Sequence, residues 1–533
     1  MLSRDLLHHL ITAAAERDSA RLALSAGQAG FDYGTLYHGC ARFCAGLLAL
    51  GLARGERVAI YLDKRPEFVL AAFGASAAGG VLVPVNPVLK GPQVGHILQD
   101  CNVRVLVTSA ERLAALRDTL ASCHDLRHVV LTGEPATLPV LAGVSVHRWH
   151  ELLAAPPAAG HRVIDSDMAA ILYTSGSTGR PKGVVLSHRN MVAGARSVAH
   201  YLENHAGDTL LAALPLSFDA GFSQLTTAFH AGARVVLLNY LLPRDVLKAI
   251  ERERVTGLTA VPPLWIQLAQ LEWPQGIDAH LRYIANTGGR MPRETLERLR
   301  ALLPRTRPNL MYGLTEAFRA TWLPPEEVDR RPDSIGKAIP NAEVMVLRED
   351  GSECAPHEPG ELVQRGALVA MGYWNDPERT AERFRPLPAR APGREGGLVL
   401  PEVAVFSGDT VRRDEDGFLY FIGRRDEMIK TSGYRVSPTE VEEIVYATRL
   451  VGECAAFGVP HDTLGHSITV VATAPDGAGL DVDELRAACR ARMPAYMVPA
   501  SIEVYPGPLP RNPNGKIDRK ALADRVFPGG TSG

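Results

Sequence analysis

The chain has 533 residues, of which 46% are hydrophobic and 22% charged; this is ordinary usage for a folded protein and excludes a disordered or fibrous one. One hydrophobic core rarely grows beyond ~250–300 residues, so two or more domains are expected. The 57 Lys and Arg residues are balanced by 59 Asp and Glu, so no overall field would draw the chain to nucleic acid or to a membrane surface, and we expect neither as a partner.

The first half of the chain shows no targeting signal. The apolar stretch of Met1–Ala15 contains histidines and an acidic residue, unlike a signal peptide. Phe68–Leu89 is uncharged and long enough to cross a bilayer, but glycines and prolines interrupt it, so we predict a buried helix, a turn and a short strand. The seven cysteines are scattered, and Cys40 and Cys44 are expected in a helix core. These features predict a reducing, cytoplasmic location.

Several stretches repeat one pattern: a run of β-branched residues, a turn and a helical period. This alternation is typical of α/β layers with mostly parallel strands. The predicted strand and helix pairs are Val58–Tyr61 with Pro66–Ala78, Val103–Thr108 with Glu111–Leu120, and Arg234–Leu238 with Pro243–Arg254.

The most informative segment runs from Tyr173 to Val184 and reads YTSGSTGRPKGV. Its glycines let the backbone approach an anion closely, and its hydroxyl and N–H groups can point toward that anion. The strict P-loop pattern is not met, because Pro181 precedes Lys182 and Gly183 follows it. A flexible linker is the alternative, but a linker does not need Pro-Lys-Gly before a β-branched strand. The segment therefore predicts a polyphosphate-binding loop.

The residue pattern changes after Asp409, where acidic turns and a polar junction predict the start of a second compact unit. Pro386–Gly397, rich in Pro, Gly and Arg, is predicted as a loop of unknown role. The elements predicted after Asp409 are strands at Phe418–Ile422, Ala455–Val459 and Ser467–Thr473 and a helix at Val482–Arg492.

With its Tyr173–Val184 loop, the chain resembles the adenylate-forming (AMP-binding) superfamily of acyl-CoA synthetases, luciferase-like enzymes and amino-acid adenylation enzymes. The resemblance extends from about Asp32 to Leu522. It is closest to acyl-CoA ligases associated with exosortase systems and to stand-alone ligases that load amino acids onto carrier proteins. Five further motifs follow in family order: Tyr312–Glu316 (YGLTE), Ser407–Asp409 (SGD), Gly423–Asp426 (GRRD), Lys430–Gly433 (KTSG) and Asn514–Lys516 (NGK).

This resemblance implies the fold class and the cofactors. The expected α/β fold has a large N-terminal domain of layered α/β subdomains plus a small β-barrel-like subdomain, followed by a small, mobile α+β C-terminal domain. The implied boundaries are 1–423 for the adenylation domain, 424–428 for a hinge and 429–533 for the C-terminal domain. The implied cofactors are ATP and Mg²⁺, with coenzyme A or phosphopantetheine as acceptor. The expected activity is AMP-forming: an acid and ATP give an acyl-adenylate and pyrophosphate, and the acyl group passes to a pantetheine thiol.

Forming an acyl-adenylate brings a carboxylate to the α-phosphate of ATP, so the reaction requires fixed positive charge. By resemblance, Thr178, Lys182, Glu316 and Lys516 are catalytic, and Glu316 holds Mg²⁺; the alternative for Glu316 is a helix-capping partner of Thr315. Asp409 would accept ribose hydroxyls, although by itself it suits a turn. The implied nucleotide-binding residues are Thr174, Ser175, Gly176, Ser177, Thr178, Gly179, Lys182, Gly288, Gly289, Tyr312, Gly313, Thr315, Asp409 and Arg424.

Lys516 lies in a Pro-Asn-Gly-Lys turn, where a lysine alone would be a solvated charge. By resemblance it enters the active site and bridges the acid and the α-phosphate. Asp426 matches the hinge about which the C-terminal domain rotates between half-reactions, with Lys430 and Gly433 on the face used for thioester formation. The alternative for Asp426 is a salt-bridged surface residue.

The segment Phe218–Ala220 is similar to the motif whose aspartate pairs with the ammonium of an amino acid. A buried carboxylate without a cation is costly, so Asp219 favours an amine-bearing substrate; a helix N-cap is the alternative. Arg319 is expected to face solvent or a second acidic group. The predicted pocket, suited to a small or medium acid, comprises Asp219, Ala220, Ser223, Ala285, Thr287, Met311, Arg319 and Ala320.

The acceptor is expected to be a separate molecule, because the sequence contains no carrier domain or attachment motif. Coenzyme A and a free-standing carrier protein present the same pantetheine arm, and both stay open. Two other functions also stay open: a ligase for small non-amino acids and CoA, and an adenylating enzyme with a non-thiol acceptor. A homodimer is the default expectation.

Overall fold

The computed structural model describes residues 5–133, 135, 137–174, 181–388, 391, 402–424, 427–431, 434–461, 465–475, 479–513 and 515–526, with only the backbone at 430, 434, 435 and 465. Most of the predicted Pro386–Gly397 loop lies outside these residues.

The strands are numbered in chain order. The first group is β1 (Leu22–Ala26), β2 (Ala29–Asp32), β3 (Arg57–Tyr61), β4 (Val81–Pro84), β5 (Val103–Ser109), β6 (His128–Thr132), β7 (Ser145–Arg148), β8 (Met168–Thr174), β9 (Lys182–Ser187), β10 (Thr209–Ala212), β11 (Arg234–Leu237), β12 (Gly257–Ala260), β13 (Tyr283–Asn286), β14 (Arg307–Tyr312), β15 (Thr321–Leu323) and β16 (Lys337–Ala338). The second group is β17 (Ala342–Leu347), β18 (Gly360–Gly366), β19 (Gly372–Tyr373), β20 (Phe384–Pro386), β21 (Val403–Arg413), β22 (Leu419–Arg424), β23 (Ile429–Thr431), β24 (Tyr434–Val436), β25 (Cys454–His461), β26 (Gly465–Ala472) and β27 (Ser501–Val504).

The α-helices are numbered in the same way: α1 (His9–Arg17), α2 (Tyr33–Ala49), α3 (Pro66–Ala78), α4 (Gly91–Asp100), α5 (Ala110–Leu120), α6 (Trp149–Leu153), α7 (His188–Tyr201), α8 (Asp219–Ala231), α9 (Pro243–Glu253), α10 (Pro262–Ala269), α11 (Arg293–Leu302), α12 (Pro377–Arg383), α13 (Pro438–Tyr446), α14 (Val482–Arg492) and α15 (Arg519–Val526). Short 3₁₀ turns occupy Ile277–Ala279, Thr315–Ala317, Pro325–Glu327 and Ala495–Met497.

Two large sheets form the N-terminal part of the molecule. One has the strand order β16-β15-β14-β13-β12-β10-β11-β1-β2 and the other β19-β9-β8-β4-β3-β5-β6-β7. Neighbouring strands are parallel from β14 to β1 and from β8 to β7. Antiparallel strands complete the edges. The predicted α/β alternation is confirmed.

A layer of helices lies between the two sheets. Helix α3 begins with Pro66. It ends before Gly79, which has a left-handed backbone conformation (φ +84°). The helix is apolar around most of its circumference, and a helix with no polar face is buried on all sides. It packs on α8, where Phe73 and Phe222 stack with ring centroids 5.9 Å apart. The residues predicted as a buried helix, turn and strand form α3 and β4, as expected.

The outer faces of the sheets have their own helical covers. Helices α9, α10 and α11 share an apolar core with the nine-stranded sheet, and α4 and α5 share one with the eight-stranded sheet. Cys40 and Cys44 are buried in the central core, as predicted, and all seven cysteines are free thiols. In the described part of the chain, no helix is both long and apolar enough to cross a bilayer.

A small antiparallel sheet of β17, β18, β20, β21 and β22 follows, in the place of the expected β-rich subdomain. Strand β21 continues through Asp409 to Arg413 and pairs with β22. The prediction that a new unit begins after Asp409 is therefore wrong, because the residues up to Arg424 complete this sheet. The last sheet, β24-β23-β26-β25 with β27 on β26, packs against α13 and α14.

Polar contacts attach this last sheet and its helices to the rest of the chain. Asn86 Nδ2 donates to the Pro513 carbonyl at 2.6 Å. The Arg293 N–H donates to Glu443 Oε1 at 3.2 Å, and Arg449 Nε lies 3.0 Å from Glu294 Oε1. These contacts bring the C-terminal turn that contains Lys516 to the N-terminal part.

The central helix layer provides a test of the fold. Phe222→Ala removes a fully buried ring and should lower the free energy of unfolding by about 3–5 kcal/mol, because lost apolar contacts and a cavity add. Val140→Ala, at a side chain that is 83% exposed, should change it by less than about 0.5 kcal/mol. Urea unfolding followed by tryptophan fluorescence measures both, and equal losses would contradict the proposed core.

Candidate active site

The candidate site lies where the parallel strands of the nine-stranded sheet end. Strands β10, β12, β13 and β14 run in one direction, so their carboxyl ends share one edge, which is the usual ligand-binding edge of such sheets. The segments that follow them contain Asp219, Gly288, Gly289 and Glu316. Sequence-distant motifs are thus brought to one edge.

The predicted phosphate loop connects two antiparallel strands. Thr174 ends β8 opposite Lys182 at the start of β9. Ser175, Gly176, Ser177, Thr178 and Gly179 lie outside the described residues, so their roles stay predictions. Lys182 Nζ lies 5.2 Å from the centre of the Tyr373 ring. Burial lowers the pKa of Lys182, Arg379 lowers it further, and Glu316 opposes the shift.

Glu316 lies beside this lysine. Tyr373 Oη donates to Glu316 Oε1 at 2.6 Å. The 3₁₀ turn Thr315–Ala317 follows Leu314 without a side-chain cap, so the capping interpretation of Glu316 is wrong. The described residues contain no cluster of three or more acidic, His or Cys side chains that could hold a metal. A divalent ion here would therefore use one carboxylate together with substrate phosphates, which is a common Mg²⁺ arrangement.

Asp409 forms a second polar cluster with Tyr312 and Arg424. The Tyr312 hydroxyl donates to Asp409 Oδ2, and Arg424 Nε lies 3.8 Å from Oδ1. Oδ1 is buried and accepts no hydrogen bond from any described residue. Burial raises the pKa of Asp409 to about 6, against the opposing charge of Arg424. Asp409 lies within β21 and is not a turn residue; its free oxygen suits a hydroxyl donor.

Lys516 reaches the same strand edge from the C-terminal turn. A Cβ at Gly288, where φ is +74°, would lie 3.2 Å from Lys516 Cε, so glycine provides both the backbone angle and the space. Burial lowers the pKa of Lys516, while Asp219 and Asp409 oppose the shift. The solvated-charge interpretation of Lys516 is therefore wrong. Gly289 accepts a hydrogen bond from Asn286 Nδ2 at 2.8 Å.

A small cavity of about 20 Å³ lies between α7, α8 and the strands. Four of the predicted acid-pocket residues line it, namely Ala220, Ser223, Met311 and Arg319. The other four, Asp219, Ala285, Thr287 and Ala320, are buried but not part of this lining. The lining residues are Val198, Leu202, Leu210, Leu211, Ala220, Ser223, Gln224, Thr227, Gly257, Thr259, Tyr283, Met311 and Arg319.

Of the two surroundings predicted for Arg319, solvent is wrong; the side chain faces an acidic group, which is Asp219 itself. Its side chain is 3% exposed, and its Nη1 lies 3.2 Å from Asp219 Oδ2. The tight turn after β14 brings it there, since Ala320 N donates back to the Tyr312 carbonyl. Asp219 therefore already has a cation, and the need for a substrate amine does not follow from its burial alone. Burial raises the pKa of Asp219 and Arg319 opposes the shift. Asp219 is the first residue of α8, after the N-cap residue Phe218, so the N-cap interpretation is wrong.

Some residues of the site carry no sequence signal. Tyr373 contacts both Lys182 and Glu316, and Gln364 Nε2 donates to the Arg319 carbonyl at 2.8 Å. Neither belongs to a motif, and only the folding of distant strands brings them here. At Gly313, a Cβ would lie 3.1 Å from Arg319 Cα, which explains the glycine of that motif.

The predicted hinge falls between two sheets. Strand β22 ends at Arg424 and β23 begins at Ile429. Asp426 and Gly433 lie outside the described residues, and Lys430 lies in β23. The hinge and the thioester face stay predictions, as do the domain boundaries.

Known proteins match the chain along most of its length. Residues 11–374 match the AMP-binding enzyme family and residues 440–516 its C-terminal domain. A feruloyl-CoA synthase of Amycolatopsis sp. is 31% identical over 93% of this chain and 94% of its own. An anthranilate CoA ligase in complex with anthranoyl-AMP has a TM-score of 0.85 at 23% identity, covering 98% of this chain and 97% of that one. The o-succinylbenzoate CoA synthetase of Bacillus subtilis with its acyl-adenylate has a TM-score of 0.81 at 26% identity, covering 97% of this chain and 98% of that one.

These matches define the class as AMP-forming acid–CoA ligases. The chain belongs to the AMP-binding enzyme family. The predicted family, fold and type of reaction are thereby confirmed.

Because the carboxyl group of Asp409 is buried, we predict that the stability difference between wild type and Asp409→Asn depends on pH. Because its folded pKa of about 6 lies above the ordinary ~4, its contribution to stability is fully present below pH ~4 and is lost as pH rises through 6. Asp409→Asn removes this titration. The unfolding free energy of the variant relative to wild type should therefore rise between pH 4 and 7, by up to about 3 kcal/mol.

Thermal unfolding at each pH measures this difference. The control is Leu241→Asn, which introduces the same side chain at a position that is 95% exposed and removes no titratable group, so the difference should stay flat. A flat difference for Asp409→Asn as well would contradict the burial of its charge.

Proposed function

We propose that the chain uses ATP and Mg²⁺ to activate a small carboxylic acid as its acyl-adenylate, and then transfers the acyl group to the thiol of coenzyme A. The observation that carries this proposal is the position of Lys516, beside Gly288 and within the electrostatic reach of Asp219 and Asp409. A lysine at this point can contact both an acid in the cavity and the α-phosphate of a nucleotide beside Asp409. The structural relative with its acyl-adenylate supports the same order of chemistry.

In the first half-reaction, a carboxylate oxygen of the acid attacks the α-phosphorus. A new oxygen–phosphorus bond forms, the bond to the β-phosphate oxygen breaks, and pyrophosphate leaves. Lys516 lowers the repulsion between the two anions and stabilises the charge that builds up on the α-phosphate oxygens. Thr174, Lys182 and the loop that follows Thr174 hold the departing phosphates.

The other polar residues of the site, around Asp409 and Glu316, hold the nucleotide. The free Oδ1 of Asp409 accepts ribose hydroxyls, with Arg424 beside it, and Tyr312 and the Gly288–Gly289 backbone flank the base. Gly313 and Thr315 shape the turn that carries Glu316. Mg²⁺, held by Glu316 and the phosphates, neutralises part of the polyphosphate charge when it is bound.

In the second half-reaction, the thiol sulfur attacks the acyl carbon, the bond to AMP breaks, and the thiol proton leaves to solvent. Lys516 must withdraw to admit a pantetheine arm, which a rotation about Asp426 provides; Lys430 and Gly433 then face the thioester site. Coenzyme A is favoured as acceptor because the named relatives are CoA ligases. A carrier protein with the same arm is the second candidate, and a non-thiol acceptor would give adenylate but no thioester.

The cavity bears on the size of the acid. It is only about 20 Å³ and is lined by Met311, Leu202 and Tyr283 among others, so it favours a small acid over a long-chain one. A long alkyl chain would meet Ser223, Thr227 and Arg319, and burying these polar groups against hydrocarbon is unfavourable.

Lys516→Ala is the test of the proposed adenylation. With a panel of small carboxylic and amino acids, the variant should lose at least about 100-fold in ATP–pyrophosphate exchange, while ATP binding measured by calorimetry changes little. The matched control is Lys520→Ala, an exposed lysine on α15, which should keep wild-type exchange. Absence of pyrophosphate release by wild type with every acid would overturn the proposal, as would wild-type exchange by Lys516→Ala.

The proposed rotation of the C-terminal domain about Asp426 is tested by a second variant. Asp426→Pro restricts the backbone at the proposed hinge, so adenylate formation should persist while thioester formation with coenzyme A slows by about tenfold or more. Single-turnover measurements of the two steps in one variant provide the internal control. An equal loss in both steps would contradict a hinge at this residue.

A further inference from the structure

We infer that the acid held in this cavity is a small amino acid with an acidic side chain, whose ammonium binds Asp219 and whose distal carboxylate binds Arg319. This inference rests on the proposed adenylation and specifies its substrate. It combines the amine expected at Asp219 with the observed burial of Arg319.

The ion pair between these two residues is incompletely bonded. A single hydrogen bond, from Arg319 Nη1 to Asp219 Oδ2 at 3.2 Å, connects them. Asp219 Oδ1 and Arg319 Nε are both buried, and neither has a hydrogen-bond partner among the described residues. A two-bonded Arg–carboxylate pair would satisfy both atoms. One acceptor on Asp219 and one donor on Arg319 therefore remain unsatisfied in a bonded pair, and a ligand with both an ammonium and a carboxylate can complete them.

The backbone holds Arg319 in this position at a conformational cost. Phe318, the residue before it, has φ +56°, a backbone conformation that is unfavourable for a bulky side chain. The Phe318 ring is fully buried, and a Cβ at Gly194 would clash with it. Gln364 fixes the Arg319 carbonyl, and the Phe318 carbonyl accepts from Nη1 at 3.0 Å. The guanidinium is thus positioned by its surroundings and not by Asp219 alone.

The wall of α8 continues the polar surface. Ser223, Gln224 and Thr227 line the cavity beside Arg319. Gln224 Nε2 donates to the Gly221 carbonyl at 3.1 Å, while Gln224 Oε1 is buried without a partner among the described residues. Buried polar atoms that an apolar ligand leaves unpaired weaken its binding. The cavity therefore favours a polar acid over a hydrocarbon one.

The charges of the protein narrow the class of acid substrate further. Three charges lie close to one another here: Arg319 in the cavity lining, Asp219 paired with it, and Lys516, which interacts with Asp219 and would meet the reacting carboxylate. An acidic amino acid presents a charge opposite to each of them. A neutral amino acid would draw Asp219 toward its ammonium and leave Arg319 without an anion, and a dicarboxylic acid without an amine would face Asp219 with like charge. A buried charge that loses its partner is strongly destabilising.

The test is a substrate panel with matched pairs. Wild-type enzyme is assayed by ATP–pyrophosphate exchange with L-aspartate, L-glutamate, their amides L-asparagine and L-glutamine, the deaminated acids succinate and glutarate, and L-alanine. We expect the best acidic amino acid to exceed both its amide and its deaminated analogue by at least about 30-fold in kcat/KM. Arg319→Met should reduce the acid-to-amide ratio to near one, and Arg319→Lys should restore part of it. Asp219→Asn should reduce the preference for the amine.

Arg305→Met is the control variant, because Arg305 is 61% exposed and pairs with Asp278 away from the cavity; the acid-to-amide ratio should not change. Exchange with alanine, an amide or a deaminated acid at a rate equal to or above that of the acidic amino acids overturns this inference and leaves the adenylation proposal standing. An unchanged ratio in Arg319→Met also overturns it. No exchange with any acid overturns both. The wild-type panel decides the matter even if the Arg319 variants fail to fold.

Discussion

The site depends on one electrostatic constraint: a lysine from the last part of the chain must lie at the carboxyl edge of a sheet built from the middle of the chain. Lys516 reaches Gly288 because the turn before it is held by Asn86 and because polar contacts such as Arg449–Glu294 attach the C-terminal sheet. Exposed ion pairs of this kind contribute little each, about 0–1 kcal/mol. The attachment is thus specific in its geometry, while each such ion pair adds little to its stability.

The charged residues of the candidate site lie near groups of opposite charge. Lys182 lies near Glu316, Arg424 near Asp409, and Arg319 beside Asp219. Such pairing lowers the cost of holding charges in a partly dry site. For Asp409 and Asp219 the geometry is incomplete, because the Arg424 contact is long and one oxygen of each carboxylate accepts no hydrogen bond from the described residues. These oxygens keep hydrogen-bonding capacity for a further donor.

The layered fold and the lining of the cavity are separate features. The fold is common to this chain and the o-succinylbenzoate CoA synthetase with its acyl-adenylate, at a TM-score of 0.81 and 26% identity. The cavity between α7 and α8 is lined by side chains, among them Ser223, Gln224, Thr227 and Arg319. Polar lining groups of this kind discriminate between ligands by which of them leave those groups unpaired.

The sequence by itself determined the α/β alternation and the AMP-binding family with the order of its motifs, and it predicted the phosphate loop and the role of Lys516. These are local patterns, since glycines, hydroxyls and hydrophobic periods act within a few residues of one another. Only the tertiary structure decided that Arg319 is buried against Asp219, 100 residues away, that Tyr373 bonds Glu316, and that β21 continues past Asp409. The reason is physical: whether a charge is solvated or paired depends on which distant strands and helices pack around it, and no local pattern records that packing.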